Sequence, residues 1–431
     1  MQQSFLPIAV LIVLAAPGAN AAEQPWPRFR GPNGTGISDA TTVPVKWTEQ
    51  DYNWKVKLPG LGHSSPVVWG KRIFLTSGDR TTATRMVLCL DPADGHTVWQ
   101  RDYPSKTFHQ NNDNSYASAT PAADADGVVV TWTAPEEVVL LALDNGGREV
   151  WRRGLGPYVG GHGSGVSPIM VDGLVVLAND QEDPKALPSM YGPNPTMPAG
   201  KSFLVAVDRK TGETRWQVER RTTLAAYSTP CLSPSVEGRP EIVFSSTAHG
   251  VTAVDPATGK VNWELAELFK DRCVGSPVVA PGLVIAGFGY GTQGTRYVAV
   301  RPGSREKGLA PTLAYDLKRP VPLVPTPLVK DGRLFFWGDD GAVACLNAAT
   351  GETLWRERLG AQFYGSPVWV DGRLYCIGRN GEVFVLAAAD KFQLLARVPL
   401  GEPSYATPAV ADGVMYLRTR TQLFSLGGKR P

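Results

Sequence analysis

Four stretches of this chain say nearly the same thing: DPADGHTVWQ at 91–100, DRKTGETRWQ at 208–217, DPATGKVNWE at 255–264 and NAATGETLWR at 347–356. A second element recurs between them. Ser or Thr is followed by Pro at the blade period at Ser65, Thr120, Ser167, Thr229, Ser276, Thr326, Ser366 and Thr407, eight positions. Their spacing of roughly 40 to 60 residues is the period of a propeller blade. A chain that repeats a turn signal and a proline at that interval is committed to radial repetition.

The sixth repeat, TPLVKDGRLFFWGDDGAVACLNAATGETLWRERLG, parses into four strands. An inner strand A starts at Pro327, a tight turn at Asp331-Gly332 leads to strand B, a second turn at Asp339–Gly341 leads to C, and the repeated turn leads to D around Trp355. Asp or Asn opens that last turn by bonding its own backbone, and Gly95, Gly212, Gly259 or Gly351 supplies the positive φ that closes it. Trp54, Trp99, Trp151, Trp216, Trp263 and Trp355 then fall on outer strands. Each indole can bury about 150–250 Å² between neighbouring blades, so these rings are read as structural. Proline suits the first residue of an inner strand, where no ladder donor is needed, and the hydroxyl before it can satisfy a backbone group at the hub.

The last repeat ends at TQLFSLGGKRP without a D strand, and DYNWKVKLPG at 51–60 has the missing pattern. The expected fold is therefore all-β, an eight-bladed propeller of four-stranded antiparallel blades, closed by its N-terminal strand. The fifth and seventh repeats lack the turn and the tryptophan, and weaker outer strands are expected there. The organisation reads as a signal peptide at 1–21, an arm at 22–50, the propeller at 51–426 and a tail at 427–431.

The apolar stretch Phe5–Ala16 is short for a membrane span and is followed by Ala19-Asn20-Ala21, the pattern of a cleaved secretory signal. Its only positive charge is the amino terminus, which leaves an uncleaved anchor as the alternative. No cysteine follows it for lipidation, so the mature protein is expected in the periplasm or secreted, without a membrane span and as a monomer. Net charge is +3 with no run of like charges, which argues against nucleic acid as a partner. The five cysteines, Cys89, Cys231, Cys273, Cys345 and Cys376, include no adjacent pair or CxxC and read as buried small hydrophobes.

In a blade, D-to-A and B-to-C connections emerge on one face, and here that face carries the long polar loops 77–85, 108–118, 179–201 and 289–296. Such loops on a rigid scaffold are where binding residues concentrate. Residues just upstream of each Ser/Thr-Pro should ring the channel mouth: His63, Asn114, Tyr116, His162, Ser164, Tyr227, Arg272, Tyr364 and Tyr405. This aromatic and cationic funnel could stack on a flat ligand and hold a carboxylate at Arg272. Asp180, Glu182 and Asp183 match no calcium loop, and a solvated loop is expected for them. No catalytic residue or metal site can be named from the sequence.

The Ser/Thr-Pro strands together with LDPADGHTVW, VDRKTGETRW, VDPATGKVNW and LNAATGETLW resemble the PQQ-type repeat of quinoprotein alcohol dehydrogenases and of the barrel-assembly lipoprotein BamB. The opening WPRFRGPNGTGIS at 26–38, with GHSSPVVWGKRIFL at 62–75, resembles PQQ-binding-like propellers of planctomycetes. For an enzyme the resemblance implies PQQ held against a disulfide of adjacent cysteines, with Ca²⁺ on Glu and Asn and an Asp base. Those residues cannot be matched here. The expectation is a BamB-like binding or scaffold module, requiring no cofactor, that meets protein partners or a small ligand through its loop-rich face. A quinoprotein oxidoreductase is the alternative.

Overall fold

Strands B and C of a blade are covered on both faces by neighbouring blades, so they read as apolar runs such as Val128–Val130 and Leu140–Leu143 rather than as alternating patterns. The computed structural model describes residues 24–183, 200–266, 268–290, 294–318 and 321–428. The expected signal at 1–21, the last three residues of the tail, and parts of the 179–201 and 289–296 loops lie outside that set. Eight sheets form. Blade 1 is Val67–Trp69, Arg72–Gly78, Arg85–Leu90 and Thr97–Tyr103. Blades 2 to 7 repeat this order, starting at Ala122, Ile169, Cys231, Val278, Leu328 and Val368. Blade 8 combines Ala409–Ala411, Val414–Arg418 and Gln422–Gly427 with Tyr52–Lys57, whose Lys55 pairs with Phe424, so strands from the two ends of the chain close the ring.

Five blades are fastened to the next at the rim by an indole. The indole N–H of Trp54 donates to the Pro92 carbonyl, Trp99 to Asn145, Trp151 to Arg209, Trp216 to Pro256 and Trp355 to Ala389, all at 2.8–2.9 Å. Every acceptor belongs to the C-to-D turn of the following blade. In the turn at 255–259, Asp255 Oδ1 accepts the N–H groups of Ala257 and Thr258, and Gly259 takes φ +69°. That glycine has a second duty: a Cβ there would lie 2.6 Å from the ring of Trp216 in the preceding blade. A register shift between strands C and D occurs in all eight blades close to the tryptophan position, a bulge that re-aims the outer strand.

The outer strands of blades 5 and 7 are not shorter than the rest. Thr312–Lys318 and Leu394–Pro399 are paired to their neighbours along their length except at the bulge residues Ala314 and Leu395. In blade 5, Tyr315 takes the tryptophan position and donates to the Ala348 carbonyl at 2.7 Å. Trp263, facing a blade without the repeated turn, donates to Glu241 of its own blade. In blade 7 the position is Ala396, which joins an apolar cluster to which the N-terminal arm contributes Val43 and Trp47.

The arm also crosses the hub. Trp26 exchanges hydrogen bonds with Val68 of blade 1, and the Pro27 carbonyl accepts Ala123 N–H of blade 2. Arg28 donates to Pro230, and the Asn33 side chain exchanges hydrogen bonds with Leu232 in blade 4. Arg30, wholly buried, donates to Thr326 of blade 6, and Ile37–Ser38 adds a parallel fifth strand to blade 7. The arm thus floors the central channel.

The double duty of Gly259 yields a controlled comparison. Gly282 has φ +72° and nothing within 4 Å of its would-be Cβ. Gly282→Ala should cost about 1–2 kcal/mol for the left-handed backbone alone, and Gly259→Ala should add roughly 1–3 kcal/mol of overpacking against Trp216. Urea unfolding of both variants measures the difference; equal losses would show that the ring contact is energetically idle.

Candidate functional site

At the hub, the Ser/Thr-Pro elements form a belt. The backbone N–H of Ser65 donates to the Thr120 hydroxyl, Thr120 to Ser167, Thr229 to Ser276, Ser276 to Thr326, Thr326 to Ser366, Ser366 to Thr407 and Thr407 to Ser65, at 2.9–3.1 Å. Seven of the eight blade junctions are bridged in this way. Above the belt lies a cavity of about 520 Å³, floored by Phe29 of the arm and ringed by all eight of these residues.

Of the residues expected at the mouth, His63, Asn114, His162, Tyr227, Arg272, Tyr364 and Tyr405 line this cavity. Tyr116 and Ser164 do not: both line a separate small cleft between blades 1 and 2, where the Arg85 guanidinium lies 4.3 Å from the Tyr116 ring centroid. The Tyr116 hydroxyl bonds to the backbone of Phe108. Being next to Ser/Thr-Pro in sequence thus does not ensure that a side chain turns inward.

The acidic trio differs from the expected solvated loop. Glu182 is fully buried, forms an ion pair with Arg272 and accepts Gly161 N–H at 2.8 Å. The carboxylate that Arg272 holds is therefore one of the chain's own. Asp180 is also buried, and burial pushes its carboxyl up to about 6, against the pull of Arg220 and His249. Among the described residues, no group of three or more His, Cys, Asp or Glu is placed to hold a metal ion.

Sequence reading missed the residue that organises the mouth. Asp113, at the tip of the 108–118 loop, reaches blades 7 and 8. It accepts Tyr364 Oη–H at 3.0 Å and Tyr405 Oη–H at 3.1 Å, and it pairs with Arg379. Arg379 and Arg420 both donate to the Tyr405 hydroxyl at 3.0 Å, and the Arg379 guanidinium lies 4.4 Å from the Tyr364 ring centroid and 5.0 Å from that of Tyr405. The available signal was an arginine in the B-to-C connections of two consecutive blades. With Arg379 laid on both rings, those aromatic faces are already in use.

The field in the cup is positive. Burial, reinforced by Arg418, Arg420, Arg80 and Arg379, pushes His63 down to about 3, and burial with Arg272 pushes His162 down to about 4. Both imidazoles are neutral at pH 7. The quinone site implied by the resemblance finds no match in this donor set. All five cysteines are buried and free, none lines the cavity, and the nearby carboxylates Asp113 and Glu182 are engaged by arginines.

A depressed histidine pKa contributes stability that is present above about 6.5 and lost as pH falls toward the folded value. Wild type should therefore lose stability between pH 6.5 and about 3 in a component that His63→Phe removes. Melting temperatures measured across that range check it, and identical acid limbs for the two proteins would refute the assignment.

Comparison with known proteins agrees with this architecture. A family model described as outer membrane protein assembly factor BamB matches residues 83–322 and 316–394. The BamB of Moranella endobia (strain PCIT) is 22% identical over 255 residues, 58% of this chain, and the match spans only 60% of that relative's length. Among solved structures, BamB from Moraxella catarrhalis superposes with TM-score 0.58 at 14% identity, covering 91% of this chain and 98% of that one. The quinohemoprotein alcohol dehydrogenase ADHIIG from Pseudomonas putida HK5 gives 0.62 at 13% identity, covering 94% and 81%. The two solved structures share the fold, and since the family model covers most of its length, this PQQ-like propeller belongs to the family described as outer membrane protein assembly factor BamB.

Proposed function

We propose that the protein is an exported, non-catalytic binding or scaffold module that engages protein partners through its loop-bearing face. The carrying observation is the anchoring of Asp113 on Tyr364, Tyr405 and Arg379, which fixes the 108–118 loop across blades 1, 8 and 7. A loop held at its tip presents a preformed surface, and preorganisation lowers the ordering cost of association. The opposite face offers mostly tight turns, apart from the 235–239 and 302–311 connections, together with the arm. Family membership supports the same reading, since its curated relatives carry the name of an assembly factor for outer membrane proteins. No helix among the described residues is long and apolar enough to cross a membrane. Export rests on the signal read at 1–21, and a location in the periplasm or outside the cell follows from it.

Pairing of Arg272 with Glu182 and of Arg379 with Asp113 supports a role without catalysis, because the charged groups best placed to act on a substrate hold each other instead. Under the quinoprotein alternative, a melting-temperature shift with PQQ would require Ca²⁺. The expected result is that Ca²⁺ makes no difference.

A photoreactive residue at exposed Asn112, on the loop face, should form adducts with one defined protein in the native cell envelope. The same residue at exposed Thr258, on the turn face, should form none. Adducts from Thr258 alone, or from neither site, would overturn the reading.

A further inference from the structure

The eight belt hydroxyls have a property that the closure of the ring does not use. Seven of them accept a neighbour's N–H, as described above, and each such hydroxyl still carries a hydrogen to give. Among the described residues, none of these hydroxyls donates to a protein acceptor, and all eight residues line the cavity. The belt is therefore a ring of donors around one space. His63 adds to it in the tautomer that carries its hydrogen on Nε2, an atom buried without a hydrogen-bond partner.

Charge points the same way. Arg28 donates to the Pro230 carbonyl and Arg30 to the Thr326 carbonyl, both at the belt itself. Arg418, wholly buried, is held by the Ser64 carbonyl and hydroxyl and by the Ser77 hydroxyl. None of these three cations has a carboxylate partner among the described residues. The acids in the neighbourhood are committed elsewhere: Asp113 to Arg379 and the two tyrosines, Glu182 to Arg272, and Asp339 to the backbone N–H groups of Leu323 and Val324. Burial of cations beside convergent neutral donors leaves a region suited to negative charge.

We propose that the floor of the cup binds a small organic oxyanion, a carboxylate or a phosphate ester, through the Ser/Thr belt hydroxyls and His63 Nε2, with Arg28, Arg30 and Arg418 buried behind the cavity lining. The cavity volume admits a compact metabolite-sized molecule rather than a folded segment. This site shares its cavity with the Asp113 anchor of the 108–118 loop but does not rest on the docking proposal, so either can fail without the other.

The test is calorimetric titration of the full chain, at fixed ionic strength, with citrate, glucose 6-phosphate and, as a cationic control, putrescine. Citrate or the phosphate ester should bind and putrescine should not, and which of the two binds identifies the oxyanion. Thr229→Val removes a hydroxyl that accepts no backbone N–H in the belt, so the ring stays closed, and His63→Phe keeps an aromatic ring against Tyr405. Each should weaken anion binding about tenfold, as expected for a lost hydrogen bond to a charged group. The free variants should still show a single cooperative melt, which separates lost binding from lost fold. No heat from either anion up to about 10 mM would overturn the proposal, since that range covers even millimolar affinity. Unchanged affinity in both variants, or tighter binding of putrescine, would overturn it equally.

Discussion

A propeller has no common core, so the contact between one blade and the next must do the work of one. In this protein it is made at two radii. Near the axis, a hydroxyl from each Ser/Thr-Pro element accepts the neighbour's N–H at seven of the junctions. At the rim of four junctions, an indole reaches the turn of the following blade and lies on its glycine. Between these radii the B and C strands pack apolar side chains face to face, and burial supplies most of the driving force. The polar contacts set the angle, because a buried donor without its acceptor costs about 1–3 kcal/mol.

The same logic explains which parts of the molecule could be read from the sequence. The blade count, the ring closure and the outer-strand tryptophans are carried by residues whose neighbours lie within one repeat or its successor. Gly259 was legible only as a turn residue, because its contact with Trp216 joins two repeats and leaves no local trace. Substitutions such as Tyr315 for tryptophan escaped notice because the hydrogen bond survives while the residue type changes. The arm was least legible. Arg28 and Arg30 resemble surface arginines in WPRFRG, and only the folded ring shows that they meet carbonyls of blades 4 and 6.

At the mouth, the sequence supplied the right ring of positions and a less accurate chemistry. Seven of the nine named residues line the cavity, yet the pairing among them decides what the cup can do. Glu182 sits in a loop that reads as solvated and ends fully buried against Arg272. Asp113 sits among amides and tyrosines yet fixes the loop. Pairing of this kind depends on side chains 90 to 292 residues apart meeting, which periodicity alone does not report.

Closure by strands from opposite ends of the chain also dictates an order of events in time. The strand Tyr52–Lys57 is made before any of the blades, but its partner Gln422–Gly427 is made only after the seven that intervene. The arm, made earlier still, needs blades 4, 6 and 7 before Arg28, Arg30 and Ile37–Ser38 find their places. Until blade 8 is made the chain is an open arc with unpaired edges, and long-range pairings of this sort form slowly. A protein built this way carries a risk of edge-to-edge association that ends only when blade 8 closes.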